Sequence, residues 1–354
     1  MKVVSIIGAR PQFIKCVFIS QMLKKKHEEV LVHTGQHYDY EMSALFFDQL
    51  GIPAPDYNLE IGSGTHGQQT GDMLIAIEKI LLKEKPDCVL VYGDTNSTLA
   101  GALAAVKLHL PVAHVEAGLR NFDKSMPEEI NRICADYTSD LLFVPTKTGI
   151  NNLKHEGRTQ GVYLTGDVMY DVLIHNLKIA AKSPILSTCH VKPKDYVLTT
   201  IHRPASTDDP KTLSTILETL SSLNETVLFP VHPRTQKFIT KYHLKKTIQS
   251  NVHLMKPVGY LDFLWLQKNA KKILTDSGGI QKEAYILKVP CITLMDTTAW
   301  VETIDAGWNI LVGLNKKKIV NAAHHFQPQG KQKNVFGDGH ASEKIIKILE
   351  DHYC

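Results

Sequence analysis

The sequence has no two cysteines at C-x-x-C spacing; Cys16, Cys88, Cys134, Cys189, Cys291 and Cys354 are scattered over 354 residues. Most fall in apolar segments, which argues against a disulfide frame or a thiolate zinc site and predicts buried thiols in a reducing compartment. No stretch approaches the ~18 uninterrupted apolar residues of a membrane span. The opening run MKVVSIIGARP is too short in apolar residues for a signal peptide and reads as a strand. A cytoplasmic protein with no membrane partner is expected. Blocks of one charge are also missing: the net charge is +4, and the basic runs go no further than KKK at 24–26 and 316–318. Such runs are solvated helix faces rather than a nucleic-acid footprint. The G-x-G-x-x-G fingerprint of a nicotinamide fold is absent too, and no acidic residue ends the second strand to hold a ribose.

What is present is alternation. With 43 % hydrophobic and 21 % charged residues, the balance is that of an ordinary globular protein, and the length favours two domains. Short β-branched runs (KVVSIIG, EVLVHTG, DCVLVYG, PVAHVEAG, DLLFVP, GVYLTG) alternate with helical patterns up to about residue 168. A second series runs through DYVLTTIH, TVLFPVH, KKILTDSGG, PCITLMD and NILVG. Near-continuous apolar strands between amphipathic helices argue parallel sheets covered on both faces. The expected fold is α/β, with two Rossmann-like doubly wound domains facing a cleft, at 1–168 and 169–339. The Pro-, Ser- and Lys-containing stretch 180–194 reads as the linker.

In such sheets ligands bind outside the carboxyl ends of the strands. Arg10, Gln36 and His37, Asp94, Glu116, His202 and Arg203, His232 and Arg234, and Ser277-Gly278-Gly279 stand at those ends. The turn IIGARPQFIK offers an anion site with Arg10 and Lys15, and Ser277-Gly278-Gly279 opens a helix with bare main-chain N–H groups. A diphosphate is the simplest anion to need both. Among the acids, Asp94 could cap the next helix, and Ser125-Met126-Pro127-Glu128 fits a capping box. Glu116 ends an apolar strand where nothing local asks for a charge. A cluster of Asp94, Glu116 and Glu128 would raise at least one pKa and supply a general acid/base.

Taken together, GARPQFIK, TGQHYD, VYGDTNST, HVEAGLR, MPEEINR, TGDVMYD, HRP, VHPR, GYLDF and TDSGGIQKEA resemble, in that order, the UDP-N-acetylglucosamine 2-epimerase family. The resemblance implies the GT-B architecture, a UDP-sugar substrate, a homodimer, and catalysis with neither nicotinamide nor metal. It implies that Asp94, Glu116 and Glu128 are the catalytic acids and that His202 assists departure of the diphosphate. It also implies substrate contacts from Arg10, Lys15, His37, Arg203 and His232, and phosphate contacts from the amides of Ser277, Gly278 and Gly279. Glu283 would take the ribose hydroxyls and Phe263 would lie beside the uracil, while the last helix, about 340–354, packs back on the first domain. The reaction would be C2 epimerisation through a 2-acetamidoglucal. GARPQF, TGDVMYD and Trp300-Val301-Glu302 look more like the branch acting on UDP-2,3-diacetamido-2,3-dideoxy-glucuronic acid, whose carboxylate Arg203, Arg234 or Lys282 could meet. A hydrolysing epimerase and a UDP-sugar glycosyltransferase of the same fold stay open as alternatives.

Overall fold

The computed structural model describes residues 1–36, 53–330 and 332–354. The chain forms two compact units, Met1–Ile174 with Asn334–Cys354, and His175–Lys333. The first holds strands β1 (Lys2–Ile7), β2 (Glu28–His33), β3 (Tyr57–Asn58), β4 (Cys88–Tyr92), β5 (Val112–Val115), β6 (Leu141–Val144) and β7 (Val162–Leu164). Its described helices are α1 (Arg10–Lys26), α2 (His66–Glu84), α3 (Asn96–Lys107), α4 (Pro127–Thr138), α5 (Lys147–His155) and α6 (Val168–Ala180), the last running on into the second unit. The sheet is parallel throughout in the order β3-β2-β1-β4-β5-β6-β7.

The second unit follows with α7 (Ile185–Thr188), β8 (Tyr196–Thr200), α8 (Pro204–Thr207), α9 (Pro210–Ser221), β9 (Thr226–Pro230), α10 (Pro233–Lys241) and β10 (Val252–Met255). It continues with α11 (Tyr260–Asn269), β11 (Lys272–Thr275), α12 (Gly278–Ile286), β12 (Cys291–Thr293), α13 (Val301–Asp305), β13 (Asn309–Leu311) and α14 (Lys316–His325). This sheet is also parallel, in the order β10-β9-β8-β11-β12-β13. The final helix α15 (Ala341–Tyr353) belongs to the first unit.

Burial on both faces explains the unbroken apolar strands. Every residue of β4 and β11 is buried, which amphipathic alternation could not give. Each fully buried Val, Leu or Ile adds about 1.5–3 kcal/mol of transfer free energy. The strand order reverses between β1 and β4 in the first unit, and between β8 and β11 in the second. Those are the topological switch points at which α/β sheets open a crevice.

Two strands escape the sequence pattern, β3 and β10. The stretch 180–194, read above as a linker, lies in the second unit, where buried Ile185 starts α7 and the Ser183 hydroxyl donates to Asp262 at 2.5 Å. α15 packs on α1, with Ile345, Ile346 and Leu349 buried and His27 Nε2 3.0 Å from Glu350 Oε1. Asp171 on α6 accepts the main-chain N–H groups of Ala341 and Ser342 at 3.2 and 2.8 Å, filling the N-terminus of α15. No described helix is long and apolar enough to cross a membrane.

Candidate active site

The turn after β1 is closed by its own helix. The Oε1 of Gln12 accepts from Gly8 N (2.8 Å) and Ala9 N (3.0 Å), while its Nε2 donates to the Tyr92 carbonyl and to Thr98 Oγ1. Those main-chain donors are therefore occupied, and the anion site expected from the IIGARPQ turn is not formed by them. Gly8 is required for packing: a Cβ there would come within 2.0 Å of Thr34 Oγ1 and 2.2 Å of Ser97 Oγ. Arg10 opens α1, but its side chain, like the whole of His37, lies outside the described residues.

Lys15, one turn into α1, is buried and reaches Glu116 Oε1 at 2.6 Å. Glu116 follows β5 in the left-handed region, φ 72°, which a side-chain-bearing residue adopts at a cost of roughly 1–3 kcal/mol. Gly93, just before Asp94, has φ 62°, and a Cβ there would lie 2.8 Å from Lys15 Nζ. Asp94 does not cap α3; Thr95 does, its hydroxyl accepting from Thr98 N. The Asp94 carboxylate instead accepts from Arg132 Nη2, and its carbonyl accepts from Asn131 Nδ2 at 3.0 Å.

The capping box expected at Glu128 is not made either. Ser125 donates its hydroxyl to Asp123 Oδ1 at 2.6 Å, the N-cap position is Met126, and no side chain caps the helix. Half-buried Glu128 has no hydrogen-bond or ion-pair partner among the described residues. Its neighbour Glu129 is buried and accepts three donors: Asn121 N (2.9 Å), Phe122 N (2.8 Å) and Arg132 Nη1 (2.8 Å). Arg132 thus divides its fork between Glu129 and Asp94. Burial works against its charge, but Asp94, Glu129 and Glu116 outweigh that and hold it above its ordinary value. Two of the acids thus have a cation of their own: Lys15 answers Glu116, and Arg132 answers Asp94. Arg132 and Glu129 were not singled out from sequence, although both lie in the quoted MPEEINR.

In the second unit, His202 Nδ1 lies 3.2 Å from Asp276 Oδ1, and Asp276 also accepts the N–H groups of His202 and Arg203, each at 2.9 Å. Burial pushes the Asp276 carboxyl up, but His202 and these main-chain donors outweigh it and leave it below the usual range. Asp276 is a third residue missed in the sequence; its signal was an acid ending the apolar run KKILT. The His202 and His232 rings are 5.4 Å apart, and His232 Nδ1 accepts from Arg234 N. Arg234 Nη2 donates to both carboxylate oxygens of Asp208, at 2.5 and 2.6 Å.

Ser277 is the N-cap of α12 without a side-chain cap bond, and its own N–H is already given to Thr275 Oγ1 at 2.9 Å, so of the three expected amides those of Gly278 and Gly279 are the ones left for a ligand. The first amides of a helix have no acceptor within it. At Gly278 a Cβ would be 3.6 Å from Trp300 Nε1, at Gly279 3.9 Å from Ser277 Oγ, and neither glycine has positive φ. Neither conformation nor packing asks for glycine there, which leaves close approach to the main chain as the reason for it. Glu283, on the same helix, is buried and accepts from Gln267 Nε2 at 2.6 Å. Lys282 is buried with its Nζ 4.3 Å from the Trp300 ring centroid. Phe263 is half-buried on α11.

Residues 21–350 match the family model described as UDP-N-acetylglucosamine 2-epimerase. The chain is 55 % identical over 356 residues to the UDP-N-acetylglucosamine 2-epimerase homolog of Methanococcus maripaludis, covering 99 % of this chain and 100 % of that one. It is 48 % identical to the UDP-2,3-diacetamido-2,3-dideoxy-D-glucuronate 2-epimerase of Pseudomonas aeruginosa, covering 99 % of both chains. Among solved structures it resembles the Methanocaldococcus jannaschii UDP-GlcNAc 2-epimerase in complex with UDP-GlcNAc and UDP, with a TM-score of 0.93 and 47 % identity over 99 % of this chain and 100 % of that one.

Proposed function

The chain belongs to the UDP-N-acetylglucosamine 2-epimerase family, and from that premise we propose that it inverts C2 of a UDP-2-acetamido sugar by eliminating UDP and adding it back. The fold is of the GT-B type, with two Rossmann-like units. No carbonyl acidifies the C2–H bond, so direct deprotonation is too costly. A base removes the C2 proton while the C1–O bond breaks, its electron pair leaving with the diphosphate, and a 2-acetamidoglucal remains. Protonation of C2 from the opposite face and return of a diphosphate oxygen to C1 complete the inversion, with no oxidation at the sugar.

The observation that carries this reading is the set of acids at one sheet edge, each of different standing: Asp94 on Arg132, Glu116 on Lys15, and Glu128 without a partner among the described residues. Two proton-transfer groups serving opposite faces of C2 need such unequal environments. Asp94, Glu116 and Glu128 are assigned the proton work. Lys15 holds Glu116 through their 2.6 Å ion pair. His202, set by Asp276, and the amides of Gly278 and Gly279 stabilise the departing diphosphate. Glu283 takes the ribose and Phe263 the uracil, with Arg10, His37, Arg203 and His232 completing the substrate contacts.

Proton NMR in deuterated water tests the reaction, first with UDP-N-acetylglucosamine and then with the 2,3-diacetamido uronate. Deuterium entering C2 as the manno isomer appears is the expected result. Free sugar with UDP would point to a hydrolysing enzyme, and no exchange with either substrate would refute the reading. For the uronate, Arg203 is the favoured partner of the C6 carboxylate: Arg234 is committed to Asp208 and Lys282 is buried against Trp300, whereas Arg203 has no ion pair among the described residues. We further propose a homodimer, supported by exposed Ile75 and Leu82 on α2 and Ile130 and Tyr137 on α4. A reducing, cytoplasmic setting is supported by the six free cysteines.

A further inference from the structure

His114 is among the fully buried titratable side chains near the same sheet edge that have no role in the assignments above. His114, on β5, has no exposed surface. Its Nδ1 is 2.7 Å from Asp136 Oδ1, and its Nε2 is 2.7 Å from the Gly93 carbonyl oxygen. Both neighbours are acceptors. The Gly93 carbonyl has no proton to give. Asp136 is ionised, because its other oxygen already accepts from Gly118 N at 3.1 Å and Arg120 Nη1 at 2.7 Å. Burial pushes this carboxyl up, yet the donors around it hold it below the usual range. Two acceptors facing the two ring nitrogens call for a proton on each. The charge is balanced locally: Arg120 turns its Nε and Nη2 to Glu156 at 2.7 and 2.6 Å, so the network of His114, Arg120, Asp136 and Glu156 sums to zero.

The two ends of this network grip the main chain beside two of the acids. Gly93 immediately precedes Asp94, and Gly118 lies two residues after Glu116. Both loops are held in the left-handed region, with φ 62° at Gly93, 72° at Glu116 and 79° at Gly118. We propose that His114, as a buried imidazolium, is a positioning residue of the reaction: one nitrogen fixes the carbonyl ahead of Asp94, and the other, through Asp136, fixes the amide behind Glu116. A neutral ring could hold only one of these, since its bare nitrogen would face the lone pair of an acceptor. The rigid ring thereby sets the spacing between the ends of β4 and β5, and with it the spacing of the two acids. This inference rests on the epimerase reading of Asp94 and Glu116, but its first test does not use activity.

That test is nitrogen NMR of the full-length protein labelled with 15N-histidine, the His114 signals being assigned by their loss in His114→Gln. At neutral pH an ordinary imidazole is mostly uncharged. The expected result is that both His114 nitrogens are of the protonated type; one unprotonated nitrogen would overturn the proposal. The second test compares His114→Gln with His114→Asn in turnover and UDP binding. Misplacement of the acids predicts a fall of about 100-fold in kcat, with KM and UDP affinity near wild type. Unchanged kcat, or parallel loss of UDP affinity, would sink the positioning role. Wild-type protein that shows no C2 exchange would refute the epimerase reading while leaving the NMR result intact, so the two failures are distinguishable.

Discussion

A guanidinium presents two nitrogens on one planar edge, so Arg132 can serve Glu129 and Asp94 together, whereas a lysine ammonium is a point charge that would have to choose. Arg132→Lys is therefore expected to lower kcat by about 100-fold while leaving UDP affinity unchanged. Equal kcat in titrated steady-state assays would show that the Asp94 contact is incidental. Asp276 gives a prediction in pH. Its folded pKa lies below the unfolded value, because His202 and two N–H groups outweigh burial. The stability it contributes is thus complete above an ordinary aspartate value of about 4 and is lost as pH falls through the lower folded one. Asp276→Asn should flatten the acid limb of a stability profile below about pH 4, read by urea unfolding; an unaltered limb would mean that other carboxylates govern acid unfolding. At this scale the sequence was legible where charge interrupts apolarity. Glu116 stood out because it ends HVEAG. Arg132 and Glu129 did not, since charges three apart on a helix look like a solvated pair until the fold buries them.

Two glycines that look alike in sequence do opposite work in their elements. Gly8 lets α1 leave β1 against Thr34 and Ser97, and a methyl there overlaps both hydroxyls. Gly8→Ala should cost about 1–3 kcal/mol in denaturant unfolding, the usual penalty for overpacking a tight contact. At Gly278 a methyl would make only ordinary contact with Trp300 and φ is not positive, so Gly278→Ala should leave the fold intact or stabilise it by up to ~1 kcal/mol. The same change should weaken UDP binding about tenfold by obstructing the amides of α12, as calorimetric titration would read. Full affinity in Gly278→Ala would place the diphosphate elsewhere. Long strands with unbroken apolar runs could be read directly, β4 and β8 among them. β3 has two residues, and β10 is an edge strand with His253 exposed, so neither carries enough pattern to register. The capping box at Ser125 failed for a local reason: Asp123 takes the hydroxyl first.

Over the whole molecule, the alternation of strands and helices made two parallel sheets legible, but the division between them was not, because α6 runs unbroken across the boundary at Ile174 and His175. No loop composition marks a boundary inside a helix. The return of α15 to the first unit is likewise invisible in its own amphipathic pattern, which says that a face is buried and not against what. Since Ile345, Ile346 and Leu349 are buried in the first unit and UDP is proposed to bind the second, the two units should respond separately in calorimetry. Asp171→Ala, which strips two acceptor bonds from the start of α15, should lower the transition of the first unit by about 1–3 kcal/mol and expose the C-terminus to proteases. UDP at a hundredfold excess over its Kd should stabilise whatever it binds by about 2.7 kcal/mol. For a unit of this size that is a rise of roughly 5–10 °C, expected in the second transition. A rise confined to the first transition would move the nucleotide to the unit of Asp94 and Glu116 and undo the assignment of Gly278, Gly279 and Glu283.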